Sequence, residues 1–206
     1  RTAAFALVLM AANYGLRAVE HHSAVASAGA VFGGRLPAWC ADAVKPSWAI
    51  DHWPRAGLAP RDEAATRCLV EVAATPNFIS PFSWRLIAKL SNGYEMRDVD
   101  LLPLPAAEAG AEEVSARPVM SVRIPNQWTP AVERASQAPI ARVFLNFSRF
   151  PAARSFVADD GTASVHWSDL RFIQGSAADP NQLRQGLFGA TVVLGADGSI
   201  REDRLG

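Results

Sequence analysis

The feature that most constrains this chain is its first apolar run, Thr2 to Ala12, in which ten residues of eleven are apolar. A helix that is apolar on every side has no face to offer water, so it suits lipid or a deep core. A run this short falls well below the ~20 residues that cross a bilayer. It does not read as a signal peptide either, because the helical pattern continues past it with no break at a small-residue cleavage site. The chain begins at Arg1 rather than Met. The expectation is the end of a longer membrane helix that starts upstream. Beyond Ala12 the pattern becomes one-sided. Phe5, Leu9, Ala12, Leu16 and Val19 share a stripe, and Asn13, Arg17, Glu20 and His21 fall away from it. That predicts one helix over 2–31 that leaves a membrane and docks on a soluble domain, ended by Gly29, Gly33 and Gly34.

The full length of 206 residues fits one domain with an appendage. The expected division is 1–34 as the N-terminal helix, 35–65 as a Trp/Pro-rich loop and 66–206 as an α+β soluble domain. The loop carries Pro37, Pro46, Pro54 and Pro60 with Trp39, Trp48 and Trp53, and rings in such a stretch pin it onto a core. Cys68 to Ala74 reads as a strand. Trp84–Leu90 and Tyr94–Leu101 flank Ser91-Asn92-Gly93, and an Asn-Gly between such runs is a strong hairpin signal. Residues 103–117 read as an exposed connection. A short helix is expected over Pro130–Ser136, capped by Thr129. Ile140, Val143, Phe144 and Phe147 have helical spacing, and Pro151 lies beyond them. Strands are expected at Ser155–Ala158, Ala163–Ile173 and Leu187–Leu194, with a turn at Ala196-Asp197-Gly198 into a short strand near Ile200. Regular βαβ alternation is absent, so the fold class is α+β: an antiparallel sheet of about five or six strands covered by helices.

Lys+Arg and Asp+Glu are both 20, so no basic excess points to nucleic acid. Among partners this leaves the membrane, through the N-terminal helix, and self-association through residues 1–12. The two cysteines, Cys40 and Cys68, form no CxxC pair and read as free thiols, which leans the domain toward the cytoplasmic side; the alternative is one disulfide, if the domain faces an oxidising compartment. No phosphate-binding glycine loop and no GxSxG elbow is present. His21 and His22 are adjacent on a helix and diverge by about 100°, so they do not readily share an ion. Asp51-His52 are likewise too close in sequence to orient one another. Asp98 and Asp100 share a strand face that solvation explains. A self-contained hydrolase would have to draw on His166, Asp169 and Ser148, a set no known spacing supports. Catalytic, cofactor and metal residues are therefore none. Trp84, Arg85, Arg149, Asp169 and Arg171 are the candidates for structural or ligand contact. Asp169 and Arg171 are expected on one face of a strand, as an ion pair that supports the fold.

Several segments occur together in a familiar order. They are Ala74-Thr75-Pro76-Asn77, Ser80-Pro81-Phe82-Ser83-Trp84-Arg85, Tyr94, and Val99-Asp100-Leu101. Phe147-Ser148-Arg149-Phe150-Pro151, Asp169-Leu170-Arg171-Phe172 and Gly198-Ser199-Ile200-Arg201 follow. This ordered set, over residues 66–202, resembles the C-terminal part of the YdjM-like family, described as membrane-bound metal-dependent hydrolases. The resemblance implies a bacterial inner-membrane protein with several helices upstream and a soluble C-terminal domain. The family's His-rich metal motif belongs to the upstream membrane portion. No position here matches it, so a divalent metal is expected there and none here. The expected role is a soluble accessory domain of a membrane-bound hydrolase-like protein. The alternative is a non-enzymatic binding or regulatory module of a bacterial membrane protein.

Overall fold

The computed structural model describes residues 2–41, 67–76, 80–102, 122–173 and 188–206. The predicted connection at 103–117 and most of the Trp/Pro-rich loop lie outside the described residues. Helix α1 (Thr2–Phe32) opens the chain. It is long and apolar enough to cross a membrane. Gly33, at φ +56°, takes the left-handed conformation that ends helices without a Cβ penalty. Four strands follow, β1 (Leu69–Pro76), β2 (Ser83–Leu90), β3 (Gly93–Asp100) and β4 (Val122–Pro125), paired in that order as an antiparallel sheet. Then come α2 (Pro130–Ala135) and α3 (Pro139–Phe147). A second antiparallel meander closes the chain: β5 (Pro151–Val157), β6 (Ala163–Asp169), β7 (Gly189–Leu194) and β8 (Ile200–Leu205).

The α+β class stands, but the strands form two four-stranded sheets rather than one sheet of five or six. Pro125 ends β4, and the next two residues cross to the second sheet. Gln127 N–H donates to Ala153 O at 3.1 Å, and Asn126 Oδ1 accepts from Ala153 N–H at 2.9 Å. Their amides and side chains stand in for a strand along the edge of β5.

The hairpin sits where expected, with Leu90 opposite Gly93 and Trp84 opposite Val99. Glycine at 93 is required by crowding, since a Cβ there would meet Ile124 O at 2.7 Å. Thr129 caps α2 by accepting from Val132 N–H at 3.3 Å. The long strand expected over Ala163–Ile173 stops at Asp169, whose carboxylate accepts from Arg171 N–H at 3.0 Å and starts a short 3-10 turn. Arg171 therefore stands in a turn and not beside Asp169 on one strand face.

Three clusters make the core. On one face of the first sheet, Val72, Ala74, Trp84, Leu86, Ala88 and Leu90 pack against Ala24, Ala28 and Phe32 of α1. On its other face, Ala73, Ile87, Met96 and Ile124 meet Phe150, Ala152, Leu170 and Ile173. Burial on both faces accounts for the poor alternation of β1 and β2 in the sequence. The second sheet packs one face against α2 and α3, around Trp167.

The cysteines correct the sequence reading. Cys40 and Cys68 form a disulfide, with Cα atoms 5.0 Å apart. Residues Ala38–Cys40 run alongside the start of β1, joined by Cys40 N–H to Leu69 O and Leu69 N–H to Ala38 O, each at 2.8 Å. That pairing brings together two thiols 28 residues apart, which sequence spacing does not reveal.

Candidate functional site

The inner face of the first sheet is laid out in three cross-strand rows. Ala73, Ile87 and Met96 form an apolar row in the middle. Glu71, Lys89 and Tyr94 form a row on one side of it, and Thr75, Arg85 and Asp98 a row on the other. The apolar row is buried against the second half of the fold, so the flanking polar rows form the seam between the halves.

Each polar row reaches across that seam through an arginine the sequence singles out. Arg149 pairs with Glu71, its Nε donating to Oε1 at 3.2 Å, and its guanidinium lies 5.2 Å from the Phe150 ring centre. Arg85 grips Asp98 in bidentate fashion, at 2.7 and 3.0 Å, and donates from Nη1 to Ile173 O at 2.6 Å. Tyr94 Oη donates to Pro151 O at 2.8 Å. Burial holds the Tyr94 phenol well above its usual range, with Asp169 and Glu71 nearby pushing the same way. Burial also lowers the Lys89 ammonium, although Glu71 opposes that and Arg149 adds to it.

Asp169 is fully buried, and Arg171 holds it with Nε 3.1 Å from both oxygens and Nη2 2.6 Å from Oδ2. The same guanidinium lies 5.5 Å from the Phe147 ring centre and 5.0 Å from that of Phe172. Trp84 is buried under α1, donating from Nε1 to Pro81 O at 2.8 Å and meeting the His21 ring edge-on at 5.5 Å. The five candidates thus fall into three places: Arg85 and Arg149 in the seam, Asp169 with Arg171 at its end, and Trp84 beneath the helix.

What this arrangement does chemically is hold the halves together. Each arginine meets a carboxylate and an aromatic ring or a backbone carbonyl, and buried guanidinium groups need such partners to offset lost hydration. His166 Nε2 lies 3.0 Å from Ser168 Oγ, the distance of a nucleophile–base pair. Its Nδ1 lies 2.9 Å from the hydroxyl of Thr191, and Ser168 is 1% exposed. These contacts run from Thr191 through His166 to Ser168 as a hydrogen-bond ladder on the strand face. Among the described residues no three His, Cys, Asp or Glu side chains gather where they would hold a metal ion. A cavity of about 470 Å³ lies between α3 and the ends of β7 and β8, lined by Val143, Phe144, Phe147, Phe188 and Leu205. Its lining is apolar and brings no reactive group.

Two features escape sequence reasoning. Arg97 Nη1 donates to Val31 O, so a cation from β3 closes the carbonyl end of α1. Arg67 pairs with the buried Glu95. Neither has a local signal, because the partners lie far apart along the chain.

The other distinctive surface is α1 itself. Its most apolar 18-residue window has mean hydropathy 1.4 and no part of it is buried in the protein. Phe5 is 65% exposed and Leu9 54%, and Leu7, Val8 and Met10 between them are exposed as well. The stripe that begins at Phe5 is therefore not the docking face. Docking runs through Ala24, Ala28 and Phe32, spaced four residues apart, where small side chains let the helix approach the sheet.

Compared with family models, curated proteins and solved structures, the chain matches none.

Proposed function

We propose that this chain is a soluble accessory domain held at the bacterial inner membrane by α1, with no catalytic centre of its own. In this reading it serves a membrane-embedded, metal-dependent hydrolase-like portion of the kind that the YdjM-like motifs imply. The observation that carries the attachment is the exposure of apolar side chains on every side of α1 over Thr2–Ala12. Rotation about the helix axis cannot bury them all against one domain face, whereas lipid surrounds a helix completely. The accessory role is supported by Arg85 and Arg149, which are engaged in tying one half of the fold to the other.

The test uses this 206-residue chain alone, without any further membrane-embedded portion, in a bacterial host. The protein is expected in the membrane pellet after an alkaline carbonate wash. Val8→Arg with Leu9→Arg places two cations in the apolar stretch, each costing about 2.5–3.5 kcal/mol near the centre of a bilayer helix. That double variant should shift most of the protein to the supernatant while the domain stays folded. Equal retention of both forms would remove the membrane reading.

A further inference from the structure

We infer that the domain lies on the oxidising side of the membrane, with α1 running from the reducing side out to it. The inference rests on the membrane attachment proposed above and adds which face the domain occupies. It reverses the cytoplasmic expectation, whose basis was unpaired cysteines. The chain has two cysteines in all, and they are bonded to each other. Bonded pairs persist in the periplasm and on cell surfaces, whereas glutathione and thioredoxin keep cytosolic thiols reduced.

The exception to that rule is a cytosolic disulfide that switches, and such a bond must be reached by a reductant. This one is built otherwise. Cys40 is 7% exposed, and its backbone is hydrogen-bonded to Leu69 beside Cys68. Ser91 adds to the clamp, its Oγ accepting from Cys68 N–H at 3.2 Å and its own N–H donating to Cys68 O at 2.9 Å. Backbone pairing on both sides keeps the two sulfur atoms adjacent, with Cys40 buried and Cys68 partly exposed. The 28-residue spacing also lacks the CxxC form of a redox-active pair. These are the properties of a structural disulfide made once, in an oxidising compartment, during folding.

The experiment expresses the full natural chain in a bacterial host, stops thiol exchange with acid and reacts the sample with a polymer-linked maleimide. In ordinary cells neither cysteine should react. In a strain without its periplasmic thiol oxidase both should react, giving a two-polymer mobility shift. The protein should stay in the carbonate-washed membrane in both strains. Two reactive cysteines in ordinary cells, in protein that remains in the washed membrane, would overturn the inference and leave the attachment standing. Unreactive cysteines in both strains, with the domain shielded from protease in spheroplasts, would overturn it as well. Oxidised protein released by carbonate and recovered in osmotic-shock fluid would keep the side and remove the attachment.

Discussion

At the residue scale, the buried ion pairs decide what the polar side chains are for. Asp169 has no exposed surface and Arg171 little, so this pair sits where water does not replace a lost partner. Removing one member of a buried pair costs about 3–5 kcal/mol, because the other is left charged and unpaired. Asp169→Ala and Arg171→Ala should each lower the unfolding free energy measured by chemical denaturation by that much, with a lower midpoint, and the double variant should cost less than the sum. Unchanged midpoints in both singles would end the structural reading and restore an anion-binding role. Tyr94 makes a pH prediction. Its folded pKa is raised, so the folded protein keeps a proton that the unfolded chain gives up above pH ~10. The stability it contributes is complete below that pH and falls as pH rises beyond it. Melting temperatures measured from neutral to strongly alkaline pH should fall steeply at the alkaline end. Tyr94→Phe should start lower, having lost the bond to Pro151 O, and fall less steeply.

At the element scale, local patterns and long-range contacts play separate parts. Helix α3 follows from Ile140, Val143, Phe144 and Phe147, and the β2–β3 hairpin from Asn92-Gly93, because the forces that specify them act within a few residues. The path of residues Ala38–Cys40 along β1 has no such origin. It is secured by two backbone hydrogen bonds and the disulfide. Closing a loop of this length by a covalent bond contributes about 3–4 kcal/mol in the chain-entropy account. Cys40→Ser with Cys68→Ser should therefore lower the melting temperature by roughly 10 °C, at about 2–4 °C per kcal/mol for a protein of this size. Calorimetry with and without reductant should show the same loss in the natural protein. A melt insensitive to both changes would mean that the strand pairing alone holds the segment.

At the scale of the whole molecule, α1 has two solvents. Its last turns belong to the first sheet and its earlier turns belong to something else. In water the exposed turns should seek apolar partners, because large apolar patches on soluble monomers are uncommon. The isolated 206-residue chain should therefore self-associate in light scattering. Deleting residues 1–12 should leave a monomer with unchanged sheet content by circular dichroism, since the buried residues of α1 begin at Ala24. Equal mass per particle in both samples would show that this surface drives no association.

The apolar N-terminal helix, the α+β class, the hairpin and both short helices were legible in the sequence because each rests on periodicity or turn chemistry within one segment. The division into two sheets was not, because Asn126 and Gln127 act by lying against β5, and no local pattern announces a side chain that substitutes for a strand. The partners of Arg97, Arg149 and Arg85 were equally hidden. Arg97 meets Val31 across 66 residues, Arg149 meets Glu71 across 78 and Arg85 meets Ile173 across 88. Sequence shows that a guanidinium is present, but only the packed sheets bring its carboxylate or carbonyl to it. The cysteines show the same limit most sharply. Their spacing left open whether they pair, and the register of Ala38–Cys40 against β1 made them one bond.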